Sequence, residues 1–306
     1  MSTPALLAGP DQPSPARLRR RRVYLALLGL VPFPVKLWVA RHVAPNLVRY
    51  LPAGRQVTVS GYARRFRVAL DTRYPIEALM IANHYEPRTR RLVERLVRPG
   101  DHCVDAGANV GAITFVLAAS VGDAGRVLAF EPGPPTYARL RRNVELNPEL
   151  AGRVVPVPAG LADRPGELHW VEDANVPGNA SLVASGGAVV PVTTVDRALA
   201  EHGFPRLDFA KLDVEGMEYD VLLGASHTLR TSRPLLYFET LPGGMTADGR
   251  TQFTAIEALL RPLDYRLFAV DKSGALVPAT TDSHAMYTLA VPASRVDEVR
   301  QRLRAA

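Results

Sequence analysis

The chain has 306 residues, of which 47% are hydrophobic and 22% charged, enough for one large α/β domain plus an accessory segment. The single Cys103 excludes an internal disulfide framework and suits a reducing cytoplasm, and no Cys/His cluster has zinc-site spacing. The net charge of +7 is uneven: residues 1–100 carry 18 basic and 5 acidic side chains, whereas the remaining 206 carry 19 basic and 25 acidic ones. Any basic partner surface is therefore expected near the N-terminal end.

The N-terminal region combines basic and apolar segments. Residues 1–22 are rich in Pro, Ala and Ser, end in the run RLRRRR, and are predicted to be a disordered basic tail. The apolar run Val23–Val35 imitates a signal sequence, but it is too short to span a bilayer and no convincing cleavage site follows it. From Leu37 to Leu51 apolar residues recur at helical spacing with arginines between them. This segment is expected either to lie on an anionic membrane or to cap the domain as a packed helix.

A β-hairpin is predicted over residues 56–70, QVTVSGYARRFRVAL, because apolar residues alternate on both sides of a glycine turn. The helical segment and this hairpin form a predicted N-terminal extension, residues 23–75, and residues 76–306 form the main domain. In the main domain predicted strands alternate with helices, which implies a mostly parallel sheet covered on both faces.

The predicted elements of the main domain follow in chain order. The helices are expected at about 87–97, 111–120, 135–146, 195–202, 217–224 and 252–261. The strands are HCVDA, RVLAF, RVVPV, DFAKLDV, PLLYFE, YRLFAV and MYTLAV, with LHWVE and VVPVTTV as an inserted pair. The last two strands have no helix between them, which indicates an antiparallel edge.

The turn GANVG directly follows the first of these strands, which ends at Asp105. Ligands of open α/β sheets bind beyond the carboxyl ends of the strands, so the turn lies where a ligand is expected. A dinucleotide fingerprint would need glycine at positions 107, 109 and 112, but the sequence has Gly107, Asn109 and Ala112. A Walker A loop is also missing, so the pattern does not indicate phosphate binding.

The residues around the turn fit a ligand without phosphates. Gly107 and Gly111 allow a close backbone approach, and Asn109 can meet a carboxylate or adopt an unusual backbone angle. Asp105 can bind an ammonium group or brace the loop, and Glu131 at the tip of the second strand can accept both hydroxyls of a ribose. An adenosine with an amino-acid tail, S-adenosyl-L-methionine, needs all of these groups. The alternative is that both acids only cap strand ends.

The chain resembles the FkbM-type methyltransferases, a Rossmann-like class I family, over about residues 76–292. The motifs that carry this resemblance are HYEP, PGDHCVDAGANVGAITF, GRVLAFEPGPPTYARLRRNVELN, NASL, VTTVD, KLDVEGMEYDVLLGA and YFE. The resemblance implies a seven-stranded sheet, S-adenosyl-L-methionine as cofactor, and methyl transfer to a hydroxyl of a sugar, polyketide or other small metabolite. Residues 1–70 lie outside it.

The resemblance also places the adenine near Ala162 and Asp163, for which a simple polar turn is the alternative. Tyr85 and Glu86 are expected to close over the donor, with ordinary packing as the alternative. The predicted donor-binding residues are Glu86, Asp105, Gly107, Ala108, Asn109, Gly111, Glu131, Pro132, Ala162 and Asp163.

A second acidic cluster, KLDVEGMEYD, surrounds the turn after the fourth strand. Asp213 ends this strand, next to the first strand in such sheets, and should face the methyl donor. Asp213 and Glu215 are the predicted catalytic residues, with Glu239 at the end of the fifth strand as a further candidate base. Glu218 has either a functional role or a helix-capping one. A hydroxyl acceptor must lose its proton as the methyl group arrives, and a carboxylate beside the cleft can act as the base. Alternatively, two carboxylates could hold a divalent cation that acidifies the hydroxyl. No metal is assigned.

The predicted function is therefore O-methylation of a small-molecule or lipid-linked hydroxyl acceptor in the cytoplasm, with peripheral contact to the inner membrane face left open. The alternatives are an N-methyltransferase of a small molecule and a non-catalytic membrane-surface adaptor that retains the domain. Asn109 and Ala112 argue against a dinucleotide-dependent oxidoreductase. No nucleic-acid partner is expected, because basic residues do not interleave with aromatic ones. The strands around Trp170 and the loop Asn175–Gly187 are expected to form part of the acceptor pocket, and the oligomeric state stays open.

Overall fold

The structure is a computed structural model that describes residues 54–172, 180–240, 246, 249, 251–271, 273–281 and 285–304. The expectations for the basic tail and the amphipathic segment fall before residue 54 and lie outside the described residues. Across the described ranges, no helix has the length and apolar character needed to cross a membrane.

The strands in the described ranges are β1 (Gln56–Tyr62), β2 (Phe66–Asp71), β3 (His102–Ala106), β4 (Arg126–Phe130), β5 (Val154–Val157), β6 (Gly160–Leu161), β7 (Gly166–Glu172), β8 (Ala180–Val183), β9 (Ala188–Thr193), β10 (Phe209–Leu212), β11 (Leu235–Glu239), β12 (Tyr265–Val270), β13 (Leu276–Pro278) and β14 (Tyr287–Pro292). The helices are α1 (Pro75–Ile81), α2 (Pro87–Leu96), α3 (Thr114–Val121), α4 (Pro134–Glu145), α5 (Val195–Glu201), α6 (Glu218–Leu223), α7 (Ser226–Thr231), α8 (Gln252–Leu260) and α9 (Val296–Arg304).

The main sheet has eight strands in the order β13-β12-β14-β11-β10-β3-β4-β5. Strands β5, β4, β3, β10 and β11 run parallel, and β14 is antiparallel to both β11 and β12. From β3 the chain continues to β4 and β5 on one side and returns to β10 on the other, so the strand order reverses at β3. The predicted Rossmann-like class I fold with an antiparallel edge is confirmed, and the short β13 adds an eighth strand to the expected seven.

The sheet separates two hydrophobic cores because successive residues of a strand point to opposite faces. Cys103 of β3 faces the core formed with the hairpin and helices α1–α4 and α9. Its neighbour Val104 faces the core formed with α5–α8. Both faces of the central strands are covered, which explains why these strands are apolar runs rather than alternating ones.

The hairpin β1–β2 is present and packs against the glycine turn of the main domain. The Tyr62 hydroxyl donates to the Ala112 carbonyl at 3.1 Å. Asn143 of α4 accepts from the Ala69 amide of β2 at 2.8 Å and donates to the Val110 carbonyl at 3.0 Å. The segment outside the family resemblance therefore supports the turn in which a ligand was expected.

The inserted strands differ from the expected pair. They form a four-stranded sheet in the order β6-β9-β7-β8. Strand β8 lies inside the segment predicted as a loop, and its Leu182 is the partner of Trp170 on β7. The stretch ASLV is too short to show strand periodicity, and its cross-strand pairing decides its structure.

Candidate active site

A cleft that encloses about 100 Å³ lies at the carboxyl ends of the central strands. The sheet order β10-β3-β4-β5 arranges its lining residues in a line. Asp213 and Glu215, Gly107 and Asn109, Glu131 and Pro132, and finally Gly160 and Leu161 follow one another. Trp170 and Leu182 of the inserted sheet also line the cleft. It thus has an acidic end, a central carboxylate and an apolar end.

The glycine turn brings the ends of β3 and β10 together. Gly107 has a φ of +75°, and a Cβ there would lie 1.9 Å from the Asp213 carbonyl oxygen. Asn109 (φ +50°) and Gly111 (φ +99°) also have left-handed backbone conformations, so helix α3 begins at Thr114 rather than at 111. Asn109 thus fulfils the expected unusual backbone angle. The close approach that Gly107 permits is between two strand ends, and Gly107 still lines the cleft.

Glu131 follows β4 and is 7% exposed. Its Oε2 accepts from the Asn109 amide at 3.0 Å and its Oε1 accepts from the Gly133 amide at 2.9 Å. Burial raises the pKa of Glu131 to about 7, against the lowering effect of these two amides. Each carboxylate oxygen can accept a second hydrogen bond, so the group can still bind ligand hydroxyls from a fixed position.

Asp105 lies beneath the cleft and is fully buried. Its Oδ2 accepts from the Thr114 hydroxyl at 2.6 Å, which holds the first residue of α3. Its Oδ1 accepts no hydrogen bond from any residue that the structure describes and lies 3.9 Å from Lys211 Nζ. Burial raises the pKa of Asp105, and Lys211 opposes this rise. Of the two expected roles, these contacts correspond to bracing the loop.

Asp213 is held by two donors. Lys211 Nζ, on β10 and 3% exposed, lies 2.9 Å from Asp213 Oδ2, and the Tyr287 hydroxyl lies 3.1 Å from the same oxygen. Burial alone would raise the pKa of Asp213, but the Lys211 ammonium and these hydrogen bonds hold it below its usual value. Burial alone would lower the pKa of Lys211, but Asp213 and Asp105 raise it well above its usual value. Asp213 and Lys211 therefore form a buried ion pair.

Glu239 ends β11 beside Asp213. Its pKa is raised, whereas that of Asp213 is lowered. Burial and the neighbouring Asp213 carboxylate raise the pKa of Glu239 to about 8. The neutral carboxyl group can donate a hydrogen bond to Asp213, while Glu239 Oε2 accepts none from the described residues. Glu215 lines the cleft in a left-handed conformation with a φ of +53°. The predicted catalytic acids therefore lie close together, with their protons distributed unequally.

Glu218 does not line the cleft, and its carboxylate bonds to the turn that precedes helix α6. Its Oε1 accepts from the Val214 amide at 3.0 Å and from the Gly216 amide at 3.4 Å, and the residue is 1% exposed. The carboxylate therefore stabilises the turn that carries Glu215 and contributes no surface to the ligand site.

Several predicted donor-binding residues do not line this cleft, namely Glu86, Asp105, Ala108, Gly111, Ala162 and Asp163. Ala162 is buried, its amide donates to the Thr193 carbonyl at 2.9 Å, and its own carbonyl oxygen would lie 2.2 Å from a Cβ on Gly224. Asp163 is exposed and lies 3.3 Å from Arg164. Leu161, the residue before them, lines the cleft, but Ala162 and Asp163 do not.

Two residues that bond to Asp213, namely Lys211 and Tyr287, were not predicted from the sequence. Lys211 had a detectable signal, since a lysine inside the apolar strand DFAKLDV needs a buried acidic partner. Tyr287 had none, because its contacts come from the pairing of β14 with β11. Its hydroxyl lies 3.1 Å from Glu86 Oε1 as well as 3.1 Å from Asp213 Oδ2, which connects the acidic end of the cleft to the start of α2.

The chain belongs to the FkbM methyltransferase family: the family described as "Methyltransferase FkbM domain" matches residues 105–267, more than half of the chain. The predicted family is therefore confirmed. The matched range contains the glycine turn, Glu131, both acidic strand ends and the inserted sheet.

Among curated proteins, methyltransferase sdnD of Sordaria araneosa is 34% identical over an alignment of 154 residues, with a coverage of 40% of this chain and 59% of that protein. Hexuronic acid methyltransferase AglP of Haloferax volcanii is 30% identical over 175 residues, 56% of this chain and 69% of that protein. The chain thus spans little more than half of the Sordaria protein. Among solved structures, methyltransferase FkbM of Methylobacillus flagellatus is 18% identical with a TM-score of 0.41, covering 70% of this chain and 52% of that one.

Proposed function

We propose that this chain is an S-adenosylmethionine-dependent O-methyltransferase that acts on a hydroxyl group of a sugar, glycolipid, polyketide or other small metabolite. The observation that carries this proposal is the linear order of the cleft at the point where strand order reverses: an acidic end, a central carboxylate and an apolar end. Membership of the FkbM family supports it. The Haloferax relative, named as a hexuronic acid methyltransferase, supports a sugar among the acceptor classes.

The residues of the cleft fit the chemistry of this cofactor. Asp213 and Glu215 supply negative charge where the methionine ammonium would bind. Glu131, fixed by two backbone amides, has free lone pairs for the ribose hydroxyls. Leu161 and Trp170 provide apolar surface for the adenine. When bound, the cofactor supplies an electrophilic methyl group on a sulfonium.

The chain's own contribution to the chemistry is to remove the proton of the acceptor hydroxyl. Asp213 is a weak base, because Lys211 and Tyr287 stabilise its ionised form. Glu239 is the stronger base, because the fixed negative charge of Asp213 and burial raise its pKa to about 8, close to the value that favours general-base catalysis. We therefore assign proton acceptance to Glu239, which does not itself line the cleft but lies beside Asp213, which does, and the positioning of Glu239 to Asp213.

The test has two stages. Calorimetry of the full chain with S-adenosylhomocysteine should show one binding site, and NAD should show none. Incubation with tritium-labelled S-adenosylmethionine and panels of sugars, polyketides and amines should then label a hydroxyl-bearing acceptor. NAD binding without S-adenosylhomocysteine binding would contradict the cofactor assignment. Labelling of amines alone would favour N-methylation instead.

A further inference from the structure

A second cavity, the arginine groove, lies between α2, α9 and the start of β14. It encloses about 500 Å³. Arg88, Arg91 and Arg95 of α2 form one wall, and the side chains of Tyr237 and Tyr287 are also among its lining residues. The two tyrosine rings are stacked with centroids 4.8 Å apart. The groove is large enough for a small organic ligand and is separate from the donor cleft.

The arginine wall is positively charged, and among the described residues Glu86 and Asp271 are the acids that share the groove with it. The arginines recur at helical spacing, so their side chains share one face of α2. Within the described ranges none of the three forms an ion pair; Arg95 donates to the Leu303 carbonyl at 2.6 Å, and Arg91 donates through Nε alone to the Pro87 carbonyl at 3.1 Å. Asp271, on the other wall, accepts from Ser273 and Ala275 in its own turn, and the bond from the Ser273 side chain and those from the backbone amides lower its pKa. The charges of Arg88 and Arg91 are therefore available to an anionic ligand.

Glu86, which lines the groove, has a buried acceptor atom. Glu86 Oε2 is inaccessible to solvent and accepts no hydrogen bond from the described residues, while Glu86 Oε1 lies 3.1 Å from the Tyr287 hydroxyl. An unpaired buried carboxylate oxygen is costly, and a ligand hydroxyl would remove that cost. Glu86 thus has an acceptor oxygen without a donor among the described residues, and it lines the same groove as the arginine wall.

The groove and the donor cleft share no lining residue, but a hydrogen bond links residues of the two. Tyr287 lines the groove, and its hydroxyl lies 3.1 Å from Asp213 Oδ2, which lines the acidic end of the cleft. The neighbouring residues Tyr85 and Glu86 line the cleft and the groove respectively. A hydroxyl bound at Glu86 would thus lie at the boundary next to the proposed methyl donor and base.

We propose that the arginine groove binds the methyl acceptor and that this acceptor is an anionic sugar, with a phosphate or carboxylate held by Arg88 and Arg91 and a hydroxyl held by Glu86. This inference rests on the proposed function. It specifies the acceptor class through two chemical requirements, one anionic group and one donor hydroxyl on the same molecule. The phosphate can belong to a soluble sugar phosphate or to a lipid-linked one.

The test uses the full chain saturated with S-adenosylhomocysteine. Glucose 1-phosphate, glucuronate and glucose are titrated by saturation-transfer NMR, and phosphatidylcholine vesicles with and without phosphatidylinositol form the lipid arm. The double variant Arg88→Ala/Arg91→Ala is compared with Arg141→Ala/Arg142→Ala, which removes the same charge from the exposed face of α4. Affinity for S-adenosylhomocysteine is measured in every variant, so a failed fold or a failed cofactor assignment is recognised separately.

At least one anionic sugar should bind about tenfold or more tightly than glucose, and this advantage should disappear in the α2 variant but persist in the α4 variant. Dependence on Arg88 and Arg91 for the soluble sugars indicates a soluble acceptor; the same dependence for phosphatidylinositol vesicles alone indicates a lipid-linked one. Equal affinity for glucose and the anionic sugars, the same affinities in both variants, or no binding in either arm would overturn the proposal.

Discussion

Replacing Gly107 by alanine tests the contact on which the geometry of the cleft depends. The new Cβ would lie 1.9 Å from the Asp213 carbonyl oxygen, whereas real Cβ contacts are essentially never below 3.0 Å. The ends of β3 and β10 would have to separate by about an ångström. The Asp213 amide, which donates to the Ala106 carbonyl at 3.1 Å, would lose its partner in that movement.

The expected loss of stability has two parts. An L-residue at a φ of +75° costs roughly 1–2 kcal/mol. The forced strand separation and the lost backbone hydrogen bond add about 1–3 kcal/mol. Gly152 offers a matched control, because it has a φ of +76° and a Cβ added there would meet nothing within 4 Å. Gly152→Ala should therefore show only the conformational part.

Urea unfolding of both variants separates the two parts, provided that the denaturant slope is unchanged. Gly107→Ala should reduce the free energy of unfolding by about 3 kcal/mol and Gly152→Ala by about 1 kcal/mol. Calorimetry should also show weaker binding of S-adenosylhomocysteine to Gly107→Ala alone, because the separation moves Asp213. Equal losses of stability in the two variants would refute the claim that the β3–β10 approach requires glycine.

Three further predictions concern the donor site, the base and the N-terminus. Glu131→Ala should weaken binding of S-adenosylhomocysteine by about 1–3 kcal/mol in calorimetry, whereas Asp163→Ala should leave it unchanged; the reverse order would return the adenine-side assignment to Asp163. Turnover should rise with pH through about 8, because burial and the Asp213 charge raise the pKa of Glu239 to that value and only the deprotonated carboxylate is a base. Glu239→Gln should abolish this rise, and an unchanged pH profile in that variant excludes Glu239 as the base. The full chain should sediment with anionic vesicles at low salt, since each arginine near the surface contributes roughly 1 kcal/mol, and deletion of residues 1–35 should abolish sedimentation; a full chain that stays in the supernatant supports a packed helical cap.

The sequence alone determined which strand ends form the edge of the sheet where the cleft lies, and some of the residues that line it. The alternation of strands and helices, the turn after Asp105 and the acids at four strand ends are local patterns, and local patterns predict strand ends well. The left-handed conformation at Asn109 was also predictable, because asparagine tolerates it. The family motifs were recognisable for the same reason, since most of them are strand ends with the turns that follow.

The tertiary structure decided the protonation of these acids and the side chains to which they bond. Lys211 meets Asp105 only because β10 pairs with β3, and Tyr287 reaches Asp213 from 74 residues away only because β14 inserts between β11 and β12. The raised pKa of Glu239 depends on this neighbouring charge and on burial. Spacing along the chain fixes where a side chain leaves its strand, but pairing between distant strands fixes its neighbours, and the neighbours set its protonation and its chemical role.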